Sequence, residues 1–154
     1  MNTILTTGHD TPFVSILNIR DQWVQDFLWQ YLVPEDIRFD YTRLDAIKFI
    51  ESQVYSGDQV LVGNGDVIMR CVIHNQYVVE PHILGNGKHF RSVMEASIEL
   101  ARQQTDFKQV VVWTSYKAIG RILQKCNFKL TGTVPNYHLA RDGLKDVMHY
   151  TREI

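Results

Sequence analysis

The chain has 154 residues, about one domain's worth at roughly 150 residues per domain, and at this size a core forms without disulfides or metal. Sixteen Lys and Arg against seventeen Asp and Glu leave a formal net charge of -1, with 45% hydrophobic and 21% charged residues. This excludes disordered, collagenous and low-complexity classes and argues against a dedicated nucleic-acid or polybasic membrane protein. The two cysteines, Cys71 and Cys126, are too few for a disulfide scaffold and read as buried free thiols suited to a reducing compartment. No apolar run approaches the ~20 residues of a membrane span, and no basic segment followed by an apolar block opens the chain. A cytoplasmic protein with no membrane partner is the expectation.

Residues 1–10 are small and polar and are expected to be loosely held; 11–154 form one domain. Phe13 to Ile19 reads as a first strand. Asp21 then offers an N-cap, and Trp23, Val24, Phe27, Leu28, Tyr31 and Leu32 recur at helical spacing until Pro34. A second helix fits Tyr41 to Val54, with Leu44, Ile47, Ile50 and Val54 on one side. Three strands follow: Gln59 to Val62, Val67 to Ile73 and Tyr77 to Leu84. They are joined by Gly63-Asn64-Gly65-Asp66 and His74-Asn75-Gln76, turns short enough to require antiparallel pairing.

After Gly85-Asn86-Gly87-Lys88 comes the clearest helix, with Phe90, Val93, Met94, Ser97, Ile98 and Ala101 on one stripe. Gln109 to Trp113 is a β-branched strand, and Ala118 to Cys126 a short helix. Phe128 to Val134 and Lys145 to Arg152 close the chain as strands around Asp142-Gly143. The order is β-α-α-β-β-β-α-β-α-β-β: a mixed α/β (α+β) domain, antiparallel in its first half, whose fourth and fifth strands are parallel across a helical crossover.

A glycine loop between a strand and a helix N-terminus presents free N–H groups and the positive end of the helix dipole to an anion. Here Lys88, His89 and Arg91 add cations to that end, where an anion is needed to make them favourable. By itself the loop also reads as a plain turn with solvated basic residues. Glu80 and His82 lie two residues apart on one strand face, as a base with its partner or as a surface pair. The six histidines and two cysteines show no metal-ligand spacing, so no metal is expected, and no nucleophile motif appears. Trp29 lies off the main helical stripe, as a core-rim residue or a partner contact. Tyr137 to Asp142 reads as a substrate-side loop or an oligomer contact.

Taken together, the element order, the loop Leu84-Gly85-Asn86-Gly87-Lys88-His89 and the later run from Val110 to Ser115 through Asn127-Phe128 resemble the GNAT superfamily of acyl-CoA-dependent N-acetyltransferases. The resemblance spans roughly Pro12 to Arg152. Gly87 matches the middle glycine of the family's Q/R-x-x-G-x-G/A loop; Leu84 stands in place of Gln or Arg, and His89 in place of the last Gly or Ala. Leu123 falls where many members hold a general-acid tyrosine.

The resemblance implies acetyl-CoA as co-substrate, pairing with the backbone of Ile83, with its pyrophosphate on Gly85, Asn86, Gly87, Lys88, His89 and Arg91. Glu80 is then the general base, assisted by His82, and the acceptor is an amine-bearing small molecule or protein. The stretch Gly87-Lys88-His89-Phe90-Arg91, with Leu123, further resembles GNAT-like proteins of short-tailed phages. That likeness implies an alternative: an inactive GNAT fold that binds a phage or host protein in the host cytoplasm or virion. Homodimerisation is open under either reading.

Overall fold

The structure, a computed structural model, describes residues 13–31, 43–85, 89–104, 106–140 and 142–154. Among these residues seven strands form one sheet: β1 Ser15–Ile16, β2 Gln59–Gly63, β3 Val67–Ile73, β4 Val78–Gly85, β5 Gln109–Thr114, β6 Lys129–Ala140 and β7 Gly143–Glu153. Their order is β1-β2-β3-β4-β5-β7-β6, antiparallel throughout except for the β4/β5 pair. The fold class read from the sequence is the one observed. The expected loose N-terminus, Leu32, Pro34 and the first residues of the second predicted helix lie outside the described residues.

The antiparallel half is set by side chains in its turns. Asn64 Oδ1 accepts from the backbone N–H groups of Asp66 and Val67 at 2.8 and 3.1 Å, an Asx turn that fixes the β2–β3 register. Asn75 repeats the device for Tyr77 and Val78 at 2.8 and 3.0 Å.

Among the described residues four helices cover the sheet: α1 Gln22–Tyr31, α2 Arg43–Tyr55, α3 Phe90–Gln104 and α4 Lys117–Lys125. Strand alternation divides the core in two. On one face α1 and α2 bury Val24, Leu28, Ala46, Ile47 and Ile50 against Leu61, Ile68 and Leu84. On the other, α3 and α4 bury Val93, Met94, Ile98 and Leu123 against Val67, Met69, Val79, Val110, Val112 and Tyr150. A guanidinium ties this second layer together: Arg152 donates to both oxygens of Glu95 at 2.6 and 3.1 Å and to the Cys126 carbonyl at 2.8 Å. It thereby joins β7, α3 and the end of α4 through a bidentate pair. No helix among the described residues is long and apolar enough to cross a membrane.

Three sequence expectations need correction. The predicted first strand shrinks to two residues, because the chain turns at Asn18, whose carbonyl accepts from Asp21 N–H at 3.0 Å; Ile19 is buried in the α1–α2 core instead. Leu44 is 62% exposed, since the buried stripe of α2 runs through Ala46, Ile47 and Ile50. Tyr137 to Ala140 is strand, not loop: β6 continues along β7 through two register shifts, between Leu130 and Gly132 and between Val134 and His138.

The packing of α4 on β7 has a tight point. A Cβ at Gly120 would stand 2.2 Å from the Tyr150 hydroxyl oxygen and 2.9 Å from its Cζ. Gly120→Ala is expected to lower stability by about 1–3 kcal/mol through overpacking, measured by urea denaturation. Tyr150→Phe in the same chain should recover part of that loss, because among the described residues the hydroxyl has only the Met148 sulfur, at 3.8 Å, as a partner.

Candidate functional site

The β4/β5 pair is brief. Tyr77 O accepts from Lys108 and Gln109 N–H at 2.8 and 3.1 Å, and Val78 and Val79 pair with Gln109 and Val110. Beyond that rung the strands part, although β4 runs on to Gly85 and β5 to Thr114. The Tyr77 carbonyl faces β5, so the backbone groups of Val79, Pro81, Ile83 and Gly85 face the same way by alternation. Pro81 has no N–H to give at the first position past the rung. The edge of β4 at Ile83 is therefore turned into the gap.

Gly85 ends β4 at φ 142°. A Cβ there would meet the Asp66 carbonyl oxygen at 2.4 Å and Val67 Cα at 3.1 Å. Its glycine identity is thus required by the close approach of β3, a reason the sequence motif did not contain. Asn86, Gly87 and Lys88 lie outside the described residues. His89 follows at φ 58°, a left-handed conformation that costs a non-glycine residue roughly 1–2 kcal/mol. The backbone thus keeps the glycine-like bend at the position where the resembling loop has Gly or Ala. The His89 carbonyl accepts from Val93 N–H at 2.9 Å, opening α3, whose first turn carries no acidic side chain and an exposed Arg91.

On the opposite face of the sheet from α3, Glu80 projects from β4 with its side chain only 12% exposed. Its Oε1 lies 2.7 Å from His74 Nε2 and its Oε2 3.0 Å from His82 Nε2. An ionised carboxylate only accepts, so both imidazoles donate through Nε2–H. Burial pushes the Glu80 carboxyl up; the hydrogen bonds and positive charge of His82, then of His74, outweigh it, and the net direction is downward. Glu80 is therefore an anion throughout the neutral range.

Across the gap, β7 brings His149 beside Trp113 of β5, with ring centroids 4.3 Å apart. Trp113 in turn stacks on Tyr137 at 6.1 Å. Thr131, the extra residue in the first β6 register shift, turns its hydroxyl onto His149. It donates to the His149 carbonyl at 3.0 Å, and its Oγ1 lies 2.8 Å from Nδ1. Having used its one proton, the hydroxyl accepts from Nδ1–H, which leaves the lone pair of His149 on Nε2. Burial lowers the affinity of this imidazole for a proton, and the charge of Glu80 partly restores it; the net direction is downward. His149 is neutral at pH 7.

The structure thus brings Glu80 and His82 together, as their spacing implied, and adds His74, His149, Thr131, Trp113 and Tyr137. The aromatic pair is exposed, Trp113 at 41% and Tyr137 at 68%. No group of acidic, His or Cys side chains among the described residues is arranged to hold a metal. Leu123 is fully buried on α4, so no proton donor stands at that helix position. Chemically, the face offers a fixed anion, a neutral imidazole and aromatic rings, the set that receives a cationic amine and takes a proton from it.

The fold is that of GNAT acetyltransferases. A variant of the spermidine N-acetyltransferase of Vibrio cholerae superposes with a TM-score of 0.74 at 9% identity, over 91% of this chain and 92% of that one. A GNAT-family acetyltransferase of Streptococcus pneumoniae gives 0.67 at 15% identity, over 92% and 98%. A probable GNAT acetyltransferase of Chromobacterium violaceum gives 0.66 at 13%, over 95% and 89%. The sequence matches no protein-family model and no curated protein.

Two measurements test the site. The lowered Glu80 carboxyl contributes stability that is present above the unfolded carboxyl value and lost as pH falls through the folded one. The stability advantage of the parent chain over Glu80→Gln should therefore be full at neutral pH and shrink below about pH 4.3. At the loop, His89→Gly is expected to hold or raise the melting temperature, whereas His89→Val should lower stability by about 1–2 kcal/mol, because a β-branched residue tolerates positive φ least.

Proposed function

We propose that this chain transfers an acyl group from a coenzyme A thioester to an amine. The observation that carries the reading is the parting of β4 and β5 after one short rung, with a buried carboxylate at its edge and a neutral imidazole across it. Similarity in fold to a spermidine N-acetyltransferase supports it. The residues present fit a coenzyme A ester: the free edge of β4 at Ile83, the left-handed backbone of His89 itself, and a helix N-terminus without acidic side chains beside Arg91. Ile83 would hold its pantetheine through the backbone, and Gly85, Asn86, Gly87, Lys88, His89 and Arg91 its pyrophosphate. When bound, the thioester supplies the activated acyl carbonyl.

The chain's own groups prepare the acceptor. An amine arrives as an ammonium ion and must lose a proton before it attacks. The Glu80 carboxylate, held ionised by His82 and His74, draws the ammonium to the gap, and the rings of Trp113 and Tyr137 flank it. His149 takes the proton on Nε2, while Thr131 keeps Nδ1 protonated and fixes the ring. This revises the assignment of Glu80 as the base: the two imidazoles that lower its proton affinity make it the weaker acceptor and the better anchor.

Leu123 favours a second reading, a GNAT fold that binds a protein partner without turnover, in a phage or otherwise. Acyl transfer from acetyl-CoA to spermidine and a panel of primary amines separates the two. Glu80→Ala is expected to abolish transfer, and His149→Gln to lower kcat by about 10²-fold or more with a smaller change in KM. The plot of kcat/KM against pH should rise to a plateau through a value below the ordinary imidazole value of about 6.5. No transfer to any amine, with a protein captured by direct binding, would favour the second reading.

A further inference from the structure

On the α3 face of the sheet lies a partly open cavity of about 240 Å³. Its floor is β2, β3 and β4, and its roof is α3 from Met94 to Ala101. The lining residues are apolar except for Ser97 and Cys71. Ser97 is 8% exposed, and its buried Oγ has no hydrogen-bond partner among the described residues. A helical serine ordinarily returns its hydroxyl to a carbonyl of the preceding turn; this one is left over. Burial pushes the Cys71 thiol up to about 12, so it stays a protonated, uncharged part of the wall. A charged ligand finds no partner among these walls.

The cavity adjoins the parting of the strands. Val79 and Val110, its wall on the β5 side, form the last rung of the β4/β5 pair. Pro81, the next residue of β4 with its edge toward β5, is also in the wall. Its ring faces the cavity, and it offers no N–H to a polar chain. An apolar chain passing the rung on this face meets the cavity directly. At roughly 30 Å³ per water-sized group, the space holds about eight such groups. An acetyl group has two carbons and would leave most of it empty.

We propose that this cavity receives the acyl chain of the donor thioester, and that the preferred donor carries an aliphatic chain of roughly six to eight carbons. The inference rests on the acyl-transfer reading and names its donor. The base and the anchor for the amine stand on the other face of the sheet, so donor chain length and acceptor choice are set independently.

The test is titration calorimetry of coenzyme A, acetyl-CoA and hexanoyl-CoA into the full chain, without an amine. Hexanoyl-CoA should bind at least about tenfold tighter than acetyl-CoA, since four added methylenes leave water and only part of that gain is spent on ordering the chain. Ala101→Leu, which fills the cavity from the helix, should bring hexanoyl-CoA down to the affinity of acetyl-CoA and leave coenzyme A itself unchanged. Cys71→Met, filling it from the sheet, serves where the first variant does not fold. Equal affinities for acetyl- and hexanoyl-CoA, or a preference that both filling variants leave intact, would overturn the cavity's role and leave acyl transfer standing. If neither coenzyme A nor any ester binds at millimolar concentration, the acyl-transfer reading fails and this inference with it.

Discussion

The structure depends on one interruption in a hydrogen-bond ladder. β4 and β5 are parallel neighbours inside a seven-stranded sheet, yet they share only the rung at Val78–Val79 and Gln109–Val110. An interior strand with unpaired backbone groups is costly unless water or a ligand reaches them, and Pro81 lowers that cost by removing one donor at the position where pairing stops. Everything else in the fold keeps this opening in place. The β2–β3–β4 meander, locked by the Asn64 and Asn75 turns, holds one side; the β5–β7–β6 group holds the other. The ends converge where Tyr77 O receives two N–H groups, Ile154 N–H reaches the Lys108 carbonyl at 2.9 Å, and Arg152 clamps Glu95.

The two faces of the opening have different chemistry because the helices cover them differently. α3 and α4 roof one face with apolar side chains and leave a cavity under α3. On the other face α1 and α2 cover the meander, while Trp113, His149 and Tyr137 look outward from the second half of the sheet. Glu80 sits at the boundary of that coverage. It is buried enough to need partners, which His74 and His82 supply, and close enough to the gap for its charge to act on His149. One carboxylate thereby accepts hydrogen bonds from two imidazoles and acts through its charge on a third.

The element order was legible because the signals were local. β3 was bounded correctly by its flanking turns, α3 by a long amphipathic stripe, and the Glu80–His82 pairing by a two-residue spacing. The losses have physical causes. Leu44 was assigned inward because helical phase alone cannot choose between Leu44 and Ala46 when both continue an apolar stripe. β6 was ended at Val134 and Tyr137 to Asp142 set apart as a loop, whereas the structure absorbs Pro135 and Asn136, the latter at φ 50°, as an irregularity within a long strand. The missed site residues are non-local: His149 follows Glu80 by 69 positions, and only the placement of β7 beside β5 joins them. Thr131 gave no signal, since its function arises from a slip in pairing. Gly85 was noticed for its neighbourhood with other glycines, but its need is steric and comes from β3.

The single rung also has a mechanical consequence. Past Val79 and Val110 the two halves of the sheet are prongs fixed at one end, like those of a tuning fork. Their separation can change without breaking any ladder hydrogen bond, so the stiffness of the gap resides in side-chain packing on its two faces. A molecule wedged between the prongs becomes, for as long as it stays, the missing part of the sheet.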